Sequence, residues 1–128
     1  MCLVELEQVM REIYVTSSDD TKFGTMILSD TLADYCQYKG YKYQREFKTG
    51  ITRKVRDGRI YHGYVDFVVL IEKRMYCIEI DSGNKKWSLK KLIDSLFRGF
   101  IPVWIRWNFE INIDIPKEIY VIDLTHKI

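Results

Sequence analysis

Between Ile60 and Asp81 the chain is dense in β-branched and aromatic residues, and the charged turn Glu72-Lys73-Arg74 divides it in two. Such content favours extended backbone, so residues 60–71 and 75–81 are expected to pair as an antiparallel hairpin. From Tyr41 the period is again two, with Tyr43, Arg45 and Phe47 alternating against Lys42, Gln44 and Glu46. This predicts a preceding strand, joined through a basic turn at Asp57-Gly58.

Helical spacing flanks these strands. Leu3, Val4, Val9, Met10 and Ile13 predict an amphipathic helix over 3–14, and Leu28, Leu32, Tyr35 and Cys36 predict a second over 26–38, ended by Gly40. The polar run from Ser17 to Gly24 connects them. After the break at Ser82-Gly83-Asn84, Ser88 is a candidate cap for a helix running to about Arg98, with Leu89, Leu92, Ile93 and Leu96 inside and Gly99 as its stop. Strands are expected over 102–107 and, at an edge, over 118–124. A hairpin followed by a right-handed strand-helix-strand crossover gives a mixed β-sheet flanked by helices, an α/β fold. With 128 residues and 47% apolar content, one domain over 1–128 is expected, its core at about 26–107.

Several classes of function are disfavoured. Apolar stretches such as 64–71 fall far short of the roughly 20 residues of a membrane span. Glu5 and Glu7 stand where a signal peptide would carry positive charge, which points to a cytoplasmic protein without a membrane partner. Cys2, Cys36 and Cys77 are odd in number and lack a CxxC spacing, so reduced thiols are expected, two of them in the core. His62 and His126 are the only histidines. A multi-histidine zinc site is therefore excluded for one chain, and a metal here should be a hard ion held by oxygen. His62 itself reads as a surface or packing residue.

Charge is unevenly spread. Residues 1–38 carry two basic and seven acidic side chains, whereas 39–59 carry eight basic and two acidic ones. Arg45, Arg53, Lys54, Arg56 and Arg59 make this segment a candidate phosphate-facing surface, with a merely solvated hairpin as the plainer reading.

Side chains at i and i+2 of a strand share a face about 6.6 Å apart, so Glu79 and Asp81 should point together, opposite Tyr76, Ile78 and Ile80. Asp66 lies between the apolar Val65 and Phe67 on the preceding strand. Acids so placed need solvent, cations or a metal as compensation. A charged sheet face paired with Arg45, Lys90 or Arg106 would also satisfy them.

The ordered set Tyr64-Val-Asp-Phe-Val68, Tyr76-Cys-Ile-Glu-Ile-Asp-Ser-Gly83, a helix, then Val103-Trp-Ile-Arg106 resembles the PD-(D/E)xK nuclease superfamily, in particular its small branch similar to very-short-patch-repair endonucleases. The resemblance implies a restriction-endonuclease-like fold in which Asp66 and Glu79 bind Mg²⁺ or Mn²⁺, with the Ile80 carbonyl as a further ligand and Asp81 as a third metal-facing carboxylate. The main pattern has lysine where Asp81 stands, so Lys85 or Lys86 is the candidate for the missing charge. Asp30 is the candidate helical acid, with Asp34 close behind. Arg106, like the basic hairpin, would contact phosphate. Trp87, Trp104 and Trp107 read as core or interface residues.

The expected activity is metal-dependent hydrolysis of DNA phosphodiester bonds by an endonuclease of repair, recombination, mobile-element or phage DNA processing. The alternatives are a catalytically inactive nuclease-fold DNA-binding protein and a structural or assembly subunit. Specificity in so short a chain would come from a homodimer or an additional protein subunit.

Overall fold

The computed structural model describes residues 1–16 and 24–125. The expected connection over 17–23 and His126 lie outside the described residues. The elements are α1 (Leu3–Thr16), α2 (Gly24–Lys39), β1 (Lys42–Lys54), β2 (Ile60–Ile71), β3 (Arg74–Asp81), α3 (Lys86–Phe97), β4 (Ile101–Arg106) and β5 (Tyr120–Asp123). Their order and types follow the periodicity read from the sequence. None of the described helices is long and apolar enough to cross a membrane.

The strands form one sheet in the order β1-β2-β3-β4-β5. Tight turns make β1, β2 and β3 an antiparallel meander, while the crossover through α3 lets β4 run parallel to β3, and β5 runs parallel to β4. The fold is thus α/β with a mixed sheet flanked by helices. One side of the sheet packs on α1 and α2, where Leu6, Met10, Leu28, Leu32 and Cys36 meet Phe67, Val69, Ile78, Ile80 and Ile105. On the other side Leu92 of α3 meets Val65, Val68, Cys77 and Trp104. Covering on both faces explains why β4 reads as an unbroken apolar run up to Arg106. Cys36 and Cys77 are buried free thiols and Cys2 is an exposed one.

Two departures from the sequence reading matter for the site. Helix α3 begins at Lys86, with Lys85 in the capping position and no side-chain cap, so Ser88 lies inside the helix and is buried. Its buried face consists of Ser88, Lys91, Leu92 and Ser95, spaced i, i+3, i+4 and i+7. Of the expected interior set only Leu92 is buried, while Leu89, Ile93 and Leu96 are half-buried. The serines are small enough to let the helix lie close to the sheet, and the rotation carries Lys91 inward.

The second departure is in β1. Its pairing with β2 runs regularly to Lys48↔Tyr64 and resumes only at Thr52↔His62, leaving an irregularity between. Gly63 sits beneath it, where a Cβ would meet Ile51 Cγ2 at 2.5 Å. Beyond this break the paired segments continue as a two-stranded arm from Thr52↔His62 to Lys54↔Ile60, with exposed residues on both strands.

Candidate functional site

The β2–β3 register runs from Ile71↔Arg74 to Phe67↔Ile78 and ends there. At the next step Asp66 Oδ2 accepts the Ile80 backbone N–H at 2.7 Å, so a side-chain carboxylate stands in for a strand carbonyl. Across from this point, between the Arg45↔Phe67 and Phe47↔Val65 pairs, Glu46 adopts φ 53°. That left-handed backbone marks a local break in the pleat. In consequence Phe67 belongs to the core under α1 and α2 while Val65, two residues away, belongs to the core under α3. The strand changes faces at Asp66.

Glu79 and Asp81 both lie on the α3 side, as their spacing requires, and are 3% and 5% exposed. Lys91 reaches from α3 to bring Nζ within 2.6 Å of Glu79 Oε1 and donates to the Tyr64 carbonyl at 2.6 Å. Burial pushes the Glu79 carboxyl up to about 9, reinforced by the charge of Asp66 and a hydrogen bond between the two carboxyls, and opposed by Lys91. Glu79 therefore holds its proton well above the usual carboxylate range, and a cation entering beside it would replace that proton.

Asp81 is engaged elsewhere. Its Oδ2 accepts the Trp104 indole N–H at 2.8 Å, its Oδ1 lies 3.5 Å from Lys85 Nζ, and its backbone carbonyl accepts from Trp107 N and Arg106 Nε. Among the described residues no cluster of three or more His, Cys, Asp or Glu side chains is gathered as for a metal ion. The two carboxylates that do adjoin, Asp66 and Glu79, offer oxygen donors. Such a pair of carboxylates suits Mg²⁺ or Mn²⁺, since Mg²⁺ keeps several waters and needs only one or two carboxylates from the protein. Lys85 belongs with Asp81 and Lys86 is exposed. The ammonium beside Glu79 comes from Lys91, which the sequence reading missed. The signal was present in the Ser88, Lys91, Leu92, Ser95 stripe, where a lysine occupies a helical face otherwise made of small and apolar residues.

Other expected contacts are placed differently. Arg106 was expected to meet phosphate but is completely buried. Its guanidinium donates to Asn84 Oδ1, the Phe109 carbonyl and the Asp81 carbonyl, and lies over the Trp104 ring, so it ties the loop after β3 to the segment after β4. Asp30, the expected helical acid, is exposed and paired with Arg45 at 3.2 Å. Arg45 lies over the Phe67 ring, on the side covered by α1 and α2 and away from Glu79. Asp34 is exposed on α2. As expected, Trp104 and Trp107 are core residues and His62 is exposed, on the arm.

The basic arm lies on the same side as the carboxylates. Arg53 stacks over Trp87 of α3 at 4.9 Å and lies 5.9 Å from the Tyr61 ring, which Arg59 also approaches at 5.7 Å. Lys54 and Arg56 are exposed near the tip. Comparison of the chain with family models, with curated proteins and with solved structures finds no match.

Proposed function

We propose that the chain is a metal-dependent DNA endonuclease of the PD-(D/E)xK type, with Asp66 and Glu79 as its metal-binding carboxylates and Lys91 as the lysine of the site. The observation that carries this reading is the convergence of Asp66, Glu79 and Lys91 at the point where β2 leaves the β3 ladder. A structural ion pair needs one carboxylate and one ammonium. Here a second carboxylate adjoins the first, is itself only half-buried, and raises the proton affinity of its neighbour. Such like-charge crowding is costly for folding and characteristic of sites that bind cations.

Asp66, Glu79 and the Ile80 carbonyl would hold the ion. Bound Mg²⁺ or Mn²⁺ supplies an acidified water and neutralises charge on a scissile phosphate. Asp66 fixes the strand end through Ile80 N–H, which holds the two carboxylates in register. Lys91, shielded from solvent and anchored on the Tyr64 carbonyl, places its amino group beside Glu79, where the phosphodiester anion would otherwise be repelled.

One observation favours a second reading. Lys91 already gives Glu79 a buried cationic partner without any metal, an arrangement that also suits a nuclease-fold DNA-binding protein without catalysis. Incubating purified protein with supercoiled, linear, single-stranded and branched DNA in Mg²⁺ and Mn²⁺ separates the two. Cleavage that is nearly abolished by Glu79→Gln and Asp66→Asn, in variants that remain folded, is the expected result. Wild type that cuts no form, or Glu79→Gln that cuts as fast, leaves the binding-protein reading.

A further inference from the structure

The face of the arm that looks toward α3 joins aromatic rings and cations in an unbroken series. Arg59 and Arg53 lie over Tyr61, Arg53 also over Trp87, and Lys90 and Lys91 approach the Trp87 ring at 5.9 and 5.8 Å. Lys91 is itself the partner of Glu79. The series thus starts near the arm tip and ends at the carboxylates. Asp57, paired with Arg59, is the acid on this stretch of the arm.

Two features decide what this surface fits. Arg53 lies over the Trp87 ring, so the arm meets α3 there through a guanidinium on an indole face. Moreover, Trp87 is half-buried, unlike Trp104 and Trp107, and its ring is covered by a mobile type of side chain rather than by core atoms. A guanidinium on an indole face is readily exchanged for a base, which gains the stacking while the guanidinium moves to the adjacent phosphate. Only a strand with unpaired bases offers such a face.

We infer that Tyr61 and Trp87 are base-stacking platforms for single-stranded DNA, whose phosphates are held by Arg53, Arg59 and Lys90, and that this track leads the strand to Asp66 and Glu79. The direction of the track toward a cutting site rests on the nuclease reading. The binding does not.

The test uses the whole chain in EDTA, with a short oligothymidylate and a duplex of the same length as probes. The oligothymidylate should bind about tenfold or more tightly than the duplex and quench tryptophan fluorescence, because Trp87 is the least buried of the three indoles. Trp87→Ala and Tyr61→Ala should each weaken it by about tenfold at unchanged salt dependence, and Trp87→Phe should stay within about threefold. Arg53→Ala should weaken binding and flatten the salt slope by about one. A duplex bound as tightly, or an oligothymidylate affinity that survives both alanine substitutions, overturns the inference. Single-strand preference with quenching in a protein that cuts nothing in Mg²⁺ or Mn²⁺ sustains the track and removes the nuclease reading. Glu79-dependent cleavage without single-strand preference does the reverse.

Discussion

Lys91 Nζ and Glu79 Oε1 lie 2.6 Å apart across the α3–β3 interface, with both side chains removed from solvent. Breaking a buried ion pair from one side usually strands a charge and costs about 3–5 kcal/mol. Glu79 can instead hold its proton, so Lys91→Met is expected to cost only about 1–3 kcal/mol, mostly from the Tyr64 carbonyl losing its donor. If Lys91 is the lysine of the site, cleavage should nonetheless fall by roughly 10²-fold or more. Lys85→Ala and Lys86→Ala, exposed by contrast, should leave it within about threefold. Urea unfolding and single-turnover cleavage measure the two effects separately.

The Glu79 carboxyl also sets a pH dependence. Its proton affinity is raised from 4.5 to about 9 by burial and by Asp66. Between those values the folded protein holds a proton that the unfolded chain has released, so stability of the metal-free protein should fall as pH rises through this window and level off above it. Glu79→Gln should remove that slope. For the same reason Mn²⁺ affinity should increase with pH, since binding displaces the proton. Denaturation and calorimetric titration at several pH values check both. A slope that persists in Glu79→Gln would mean that another group carries it.

Asp81 tests the extent of the proposed metal-binding set. Because Trp104 Nε1 donates to its Oδ2, Asp81→Asn can keep that acceptor and should retain cleavage within about tenfold, unlike Glu79→Gln. Trp104→Phe removes the donor, leaves a buried carboxylate short of a partner and should cost about 1–3 kcal/mol or more. Near-complete loss of cleavage in a folded Asp81→Asn variant would place Asp81 among the metal ligands.

Gly24 provides a purely structural check. A Cβ at this position would overlap the Trp107 indole, which is buried, hydrogen-bonded through Nε1 to Thr25 Oγ1 and set edge-on to Tyr14. The ring has little freedom to yield, so Gly24→Ala should destabilise by about 1–3 kcal/mol without changing the pH slope assigned to Glu79. Thermal unfolding measures it.

The succession of elements was legible because hydrophobic period and turn chemistry are local, and Gly40 and Gly99 close α2 and α3 in left-handed backbone as their places suggested. The shared face of Glu79 and Asp81 was legible for the same reason. What escaped was any relation set by depth or by a broken period. Arg106 reads as a strand-end cation, yet Asn84 and the Phe109 carbonyl, distant from it in the hydrogen-bonding sense until the loops fold, draw it inside. Lys91 was hidden because lysine is normally assigned to the solvent side of a helix, whereas Glu79 gives it a buried partner. Asp66 could be identified as unusual among apolar neighbours, but the change of face there depends on Glu46 across the ladder.

Because Asp66 Oδ2 occupies the position of a ladder acceptor, the proposed metal ligand is also part of the architecture of the sheet. On the nuclease reading, a lineage that abandoned cleavage could discard Glu79 with little harm to the sheet, but would remain bound to keep an oxygen at 66 and a donor to the Tyr64 carbonyl at 91. Asparagine there would mend the strand and alanine would orphan the Ile80 amide, at a cost of about 1–3 kcal/mol. An acid at 66 in a divergent copy is therefore a poor marker of enzymatic competence. The informative position is 79, since Lys91 also serves the backbone as donor to the Tyr64 carbonyl.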